Sequence, residues 1–154
     1  MLQGGQVYPT TLSRFISIAS AVFLISCCCS CLVYADENDV VIVVNKNAPE
    51  TDLSKERIKQ IFIGKITMWS SNERIVLAML DDDALHKAFL DKYVQRNPAQ
   101  FKNTWTHLMF TGKAMKPRRF STMEELKHFI AGNRLAIGYI TKGAADDNIQ
   151  VIIP

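Results

Sequence analysis

The sequence predicts an α/β domain, a mixed sheet flanked by helices. Three observations carry that prediction. Val40-Val41-Ile42-Val43-Val44 is an unbroken β-branched run, which suits a strand buried on both faces, as in a helix-covered parallel sheet. Amphipathic stretches with recognisable helix caps alternate with further apolar runs. Two such runs, Leu135 to Ile140 and Ile149 to Ile153, close the chain as strands. Strands alternating with helices are the pattern of a layered α/β domain.

Taken in order, Asn45 to Asp52 holds Asn, Pro and Asp and reads as a loop. Ser54 caps a helix from Lys55 to about Ile63, with Ile58, Ile61 and Phe62 on one face. Gly64 follows in the position of a C-terminal cap. Ile75-Val76-Leu77-Ala78-Met79 reads as a second strand. After Asp81-Asp82-Asp83 comes a helix in which Leu85, Phe89 and Tyr93 recur at spacing four. Asn97-Pro98 starts another, cap and first-turn proline in the right order. Its apolar face is Phe101, Trp105, Leu108 and Met109. Lys113 to Arg119 reads as a basic loop after the Thr111-Gly112 turn. Ser121-Thr122-Met123-Glu124 is a capping box for a last helix presenting Met123, Leu126, Phe129 and Ile130, closed by Gly132-Asn133. There is no internal repeat, and no linker long enough to separate two domains.

The first 35 residues read as a secretory leader rather than as part of the fold. Arg14 is the only charge before Asp36, and Phe15 to Ala35 is apolar or small throughout. Val33-Tyr34-Ala35 offers small residues three before and one before a cut, so cleavage is expected after Ala35. An uncleaved anchor is the alternative, since about 20 apolar residues span a bilayer. Leu24-Ile25-Ser26-Cys27 is a lipoprotein-like box that would make Cys27 a lipidated terminus. Membrane contact is expected only through such an N-terminus. All four cysteines (Cys27, Cys28, Cys29 and Cys31) lie in this leader. The domain from Asp36 to Pro154 therefore has neither a disulfide framework nor thiolate metal ligands. Without Arg14, 17 basic residues face 15 acidic ones, a net of +2. That balance does not point to nucleic acid, and local charge clusters matter more than the total.

Four blocks in order carry a resemblance. They are Leu53-Ser54-Lys55-Glu56-Arg57-Ile58, then Ile61-Phe62-Ile63-Gly64-Lys65-Ile66-Thr67-Met68-Trp69, then Phe110-Thr111-Gly112-Lys113, then Ala136-Ile137-Gly138-Tyr139. From about Val40 to Ile153 the chain resembles the phosphate-type substrate-binding proteins of bacterial ABC importers, most of all their short, single-lobe relatives. The resemblance implies one periplasmic-binding-protein type II-like lobe, an extracytoplasmic location, no cofactor and no catalysis. Full-length receptors close two lobes over a ligand, and the blocks found here all belong to one. Either two chains pair as a homodimer to form a cleft, or the lobe serves as an interaction or signalling module for an envelope protein.

The resembled phosphate receptors place an Arg-Ser-Asp-Gly-Ser-Gly-Thr-like anion loop after the second strand. This chain has Met79-Leu80-Asp81-Asp82-Asp83-Ala84-Leu85 there, without the arginine, hydroxyls or glycines. Each ionised Asp at about 5 Å from a phosphate charge costs roughly 3 kcal/mol at an effective dielectric of about 20. Three of them, even half screened, would outweigh a few amide hydrogen bonds of roughly 1 to 3 kcal/mol each. Ligands of open α/β sheets gather where strand ends meet helix N-termini, and three such junctions are expected: Asn45 to Asp52, Asp81 to Asp83, and Phe120 to Thr122. The candidate ligand-binding residues are Asn45, Asp81, Asp82, Asp83, Thr111, Gly112, Lys113, Arg118 and Tyr139. The plain reading of the three aspartates is a helix N-cap in a favourable dipole; a divalent cation or a partner contact is the alternative. Arg118 and Arg119 are a pair able to grip carboxylates or phosphates, a small anion or an acidic partner. His86, His107 and His128 stand apart, without metal-ligand spacing, and read as helix-surface residues. Trp69 and Trp105 read as core aromatics, and Ser54 and Ser121 as caps. No nucleophile elbow, zinc-protease motif or glycine-rich phosphate loop is present.

Overall fold

In the computed structural model, which describes residues 39–154, β1 (Val40–Asn45) takes up the β-branched run, and all six of its residues are buried. The leader, its cut after Ala35 and the Cys27 box lie outside the described residues. The remaining strands are β2 (Val76–Leu80), β3 (Arg118–Phe120), β4 (Ala136–Thr141) and β5 (Ile149–Ile152). They form one sheet in the order β3-β2-β4-β1-β5. β2 is parallel to both β3 and β4, whereas β1 is antiparallel to β4 and β5. The sheet is mixed, as predicted, and β1 is its one reversed strand. Burial on both faces was legible in the run; its direction was not.

Among the described residues four α-helices flank the sheet. α1 (Lys55–Phe62) is capped by the Ser54 hydroxyl, which accepts from the Arg57 amide. It ends in a paired-carbonyl cap. The Gly64 amide donates to Ile61 and the Lys65 amide to Gln60, with Gly64 at φ +73°, where a side chain is strained. α2 (Asp83–Phe89) runs into a π-helical turn, Leu90–Val94, closed by Gln95 at φ 57°. The widened turn brings Leu90, Tyr93 and Val94 all inside, so the expected spacing of four describes only part of this element. α3 (Pro98–Phe110) starts at a complete capping box between Asn97 and Gln100. α4 (Met123–Gly132) is capped one residue later than expected: Thr122, not Ser121, accepts from the Glu125 amide. The Ser121 amide instead donates to the Glu125 carboxylate at 3.3 Å.

The basic stretch also differs from expectation. Arg118–Phe120 is not loop but an edge strand on β2. Its two arginines are exposed, so it carries no apolar signal.

The core is aromatic at its centre. Tyr139 lies flat on Phe89, with ring centroids 4.0 Å apart and planes 5° apart, and Phe62 is 4.6 Å from Phe89. Burying each such ring stabilises by about 1.5–3 kcal/mol. Both indoles are core residues, as expected. Trp69 donates to the Leu135 carbonyl at 3.1 Å and Trp105 to the Phe62 carbonyl at 2.9 Å. Gly138 lets β4 approach its neighbours, because a Cβ there would sit 2.8 Å from the Ala78 carbonyl oxygen. Among the described residues no helix is long and apolar enough to cross a membrane.

Candidate functional site

β2 and β3 run in parallel and end side by side. The Asp81 amide donates to the Phe120 carbonyl at 2.9 Å, and the Asp81 carboxylate accepts from Arg119 Nε. Asp82 caps α2, its Oδ1 accepting from the Leu85 amide at 2.9 Å. Asp83 opens the first turn, where a carboxylate suits the helix dipole. The capping reading of the cluster therefore holds, with an ion pair added to it. Among the described residues no three acidic or histidine side chains converge to hold a metal ion.

The sequence-predicted residues separate into two groups. Asp81, Asp82, Asp83 and Tyr139 come together at this end of the sheet. Asn45 does not. Because β1 is reversed, Asn45 sits at the opposite end, paired in register with Ile149. There it is buried, donating to the carbonyls of Ile130 at 2.9 Å and Ala131 at 2.6 Å and accepting from the Asn47 amide at 2.8 Å. It fastens the end of α4, and its polar atoms are fully committed. Thr111, Gly112 and Lys113 are a helix terminator. The Thr111 hydroxyl donates to the His107 carbonyl, and the Gly112 and Lys113 amides take the carbonyls of Met109 and Leu108, with Gly112 at φ +67°. Arg118 and Arg119 are successive strand residues and project to opposite faces. Arg118 lines a cavity of about 160 Å³ with Arg74, Met115 and Phe129, while Arg119 turns toward α2 and α3. The pair cannot act as one fork.

Sequence reasoning missed His86. It is half-buried, not a free surface residue, and its Nδ1 lies 2.7 Å from the Tyr139 hydroxyl. The available signal was its border position, one residue from buried Leu85 and three from buried Phe89. The His86 ring also meets Phe101 edge-on at 5.2 Å. Burial first, and the Arg119 charge second, hold the imidazole below its ordinary value, with Asp83 pulling the other way. Tyr139 is driven far up, mainly by burial, so its phenol keeps its proton. Among the described residues His86 is the one hydrogen-bond partner of that hydroxyl. With the phenol donating to Nδ1, the imidazole is neutral and carries its proton on Nε2.

His86 lines a groove of about 460 Å³ between α2, α3 and β3. The groove floor is Met79, Phe101 and Trp105; Lys102, Lys116 and Arg119 supply positive charge, and Asp83 the one carboxylate. Its chemistry is that of an open binding surface. His86 is hydrogen-bonded to a phenol, not to a serine that it could activate.

A family profile described as PBP superfamily domain matches residues 37–150. The chain belongs to the PBP superfamily. Solved structures with the same fold include three receptors. One, from Clostridium perfringens, is assigned as a phosphate ABC transporter substrate-binding protein and has phosphate bound; it is 23% identical with a TM-score of 0.57, over 74% of this chain and 44% of that one. An ABC-type phosphate transport receptor from Vibrio cholerae is 19% identical with a TM-score of 0.50, over 74% and 45%. PstS from Borrelia burgdorferi is 12% identical with a TM-score of 0.52, over 74% and 46%. None of the curated proteins matches the chain. This PBP domain spans less than half the length of each of these receptors. It shares their fold.

Proposed function

We propose that the chain is an exported, non-catalytic solute-binding-type lobe of the cell envelope that does not grip free orthophosphate. One observation carries the second half of that reading. Both devices that could hold a small oxyanion at the β2–α2 junction already carry a carboxylate of the chain itself. The α2 N-terminus is closed by the Asp82 carboxylate, and Arg119 is bound by Asp81. An incoming phosphate would meet carboxylates where amides and a free guanidinium are needed. The export half rests on the leader-like first 35 residues and on the family. Calorimetry on the purified chain tests the reading with phosphate, sulfate and a panel of neutral and charged small solutes. Phosphate and sulfate are expected to bind no tighter than about 1 mM, while a member of the panel binds more tightly. Micromolar capture of phosphate would overturn the anion argument, and silence across the panel would overturn the solute-binding reading itself.

A second reading, an interaction module for an envelope partner, is favoured by a separate observation. Phe110 is 92% exposed and Met115 68%, and Met109 beside them is 38% exposed. Such apolar side chains near basic groups suit a protein contact. A pull-down from envelope extract, comparing wild type with Phe110→Ser/Met115→Ser, tests it; equal recovery of partners discards the apolar contact.

A further inference from the structure

We propose that the groove between α2, α3 and β3 binds a small amphipathic carboxylate, a molecule with an aromatic or branched apolar body and one anionic end. The inference rests on the solute-binding reading and names its ligand class. Four features support it.

The groove is of the right size, since a volume of about 460 Å³ lies within the usual range of small-ligand sites. Its floor is apolar and rigid. Phe101 and Trp105 are buried, and Trp105 is fixed by its bond to the Phe62 carbonyl at 2.9 Å. Its donors converge from three elements: Lys102 from α3, Lys116 from the segment before β3, and Arg119 from β3. The ammonium groups of Lys102 and Lys116 make no ion pair among the described residues, and only Nε of Arg119 is engaged, by Asp81. The terminal guanidinium nitrogens have no partner among the described residues, and the Asp81 charge beside them weakens but does not cancel their pull on a carboxylate. Finally, His86 contacts Tyr139 through Nδ1 and leaves Nε2 with no protein partner among the described residues, a donor to a ligand when the phenol donates to Nδ1.

Charge alone would admit any anion. The floor changes that. A phosphate or sulfate would leave the groove's exposed apolar groups, Pro98 and Met109, uncovered and would bring a second negative charge toward Asp83 and Asp81. A ligand with an apolar body covers these groups and brings only one negative charge, which matches the single positive charge by which Lys102, Lys116 and Arg119 exceed Asp83 and the Arg119-bound Asp81. A neutral isostere covers the same floor but leaves those cations without a partner.

The test uses the full chain and three probes: phenylpropionate, its alcohol analogue phenylpropanol, and inorganic phosphate. Calorimetry is expected to show phenylpropionate binding below about 1 mM, with the alcohol and phosphate at least tenfold weaker. The His86 ring nitrogens, followed by NMR, are expected to report the Nε2–H tautomer in the free protein and to shift with phenylpropionate. Thr106→Trp is the blocking variant. Thr106 is exposed on α3 and lines the groove, so a large side chain there fills the site without disturbing the core. Loss of phenylpropionate binding with an unchanged circular dichroism spectrum supports the proposal. Lys116→Gln checks the charge at an exposed position, with an expected loss of about threefold to tenfold. Equal binding of acid and alcohol, or binding that survives Thr106→Trp, overturns the groove assignment while leaving the solute-binding reading intact. A panel solute that binds while phenylpropionate does not also overturns the ligand class alone. Failure of every solute overturns both.

Discussion

The two ends of the sheet carry polar residues that look alike in sequence and do opposite work. At one end Asn45 is 6% exposed and all its polar atoms are spent on the protein. At the other, Asp81 and Arg119 are about half exposed, their pairing is with each other, and His86 keeps one ring nitrogen free beside an open groove. A polar group at a strand end becomes structural when burial forces every lone pair and proton to be satisfied. It stays available for a ligand when water can serve as its partner. Burial, more than residue type, separates the two roles.

That contrast predicts a ranked set of effects. The largest belongs to the closed end. Asn45→Ala strands the Ala131 carbonyl and the Asn47 amide, leaves the Ile130 carbonyl only the Asn133 amide, and is expected to lower stability by about 3 kcal/mol, read from the denaturant midpoint. A loss below about 1 kcal/mol would erase the distinction between the two ends. Next comes Tyr139→Phe, which removes the hydroxyl at His86 and is expected to cost about 1–2 kcal/mol. It should also free the imidazole tautomer, visible in the ring nitrogen shifts. Asp82→Ala removes the α2 cap and should cost about 1 kcal/mol.

A smaller effect follows pH. His86 in the folded chain titrates below the ordinary value of 6.5. Between those two values the unfolded chain takes up a proton that the folded chain refuses. Stability is therefore at its full level above pH about 6.5 and falls as pH drops through that window. His86→Gln should flatten this part of the stability profile; an unchanged slope would remove the histidine from the account. The smallest effect is at the exposed pair, where Asp81→Asn should change stability by no more than about 0.5 kcal/mol.

Much of the fold was legible because its signals are local. The β-branched run, the Ser54 and Asn97 caps and the Gly64 terminator each act over a few residues, and each stands where the sequence put it. What was hidden depends on neighbours distant in sequence. Nothing in Val40–Val44 encodes that β1 runs against β4, yet that reversal moves Asn45 to the wrong end for a ligand. β3 is three residues with two exposed arginines, and its strand character comes entirely from pairing with β2. Ser121 and Thr122 offer the same capping chemistry, and the register of α4 against the sheet chose the second. Of the residues gathered at the β2–α2 end of the sheet, the aspartates and Tyr139 were singled out from the sequence. His86 was not, because its half-buried position is set by a hydroxyl 53 residues away in the chain. Arg118 and Arg119 were read as a fork because adjacency in sequence says nothing of strand alternation.

The bridge between Asp81 and Arg119 gives the domain a resident competitor. Any anion that seeks this guanidinium contends with a carboxylate tethered beside it, whose effective concentration is far above that of a free solute. Charge therefore cannot by itself win admission, and a guest must bring something the aspartate lacks. Raising the salt screens guest and incumbent alike, so occupancy should respond to ionic strength less steeply than at a vacant arginine. In this way one internal contact turns an attractive patch into a threshold.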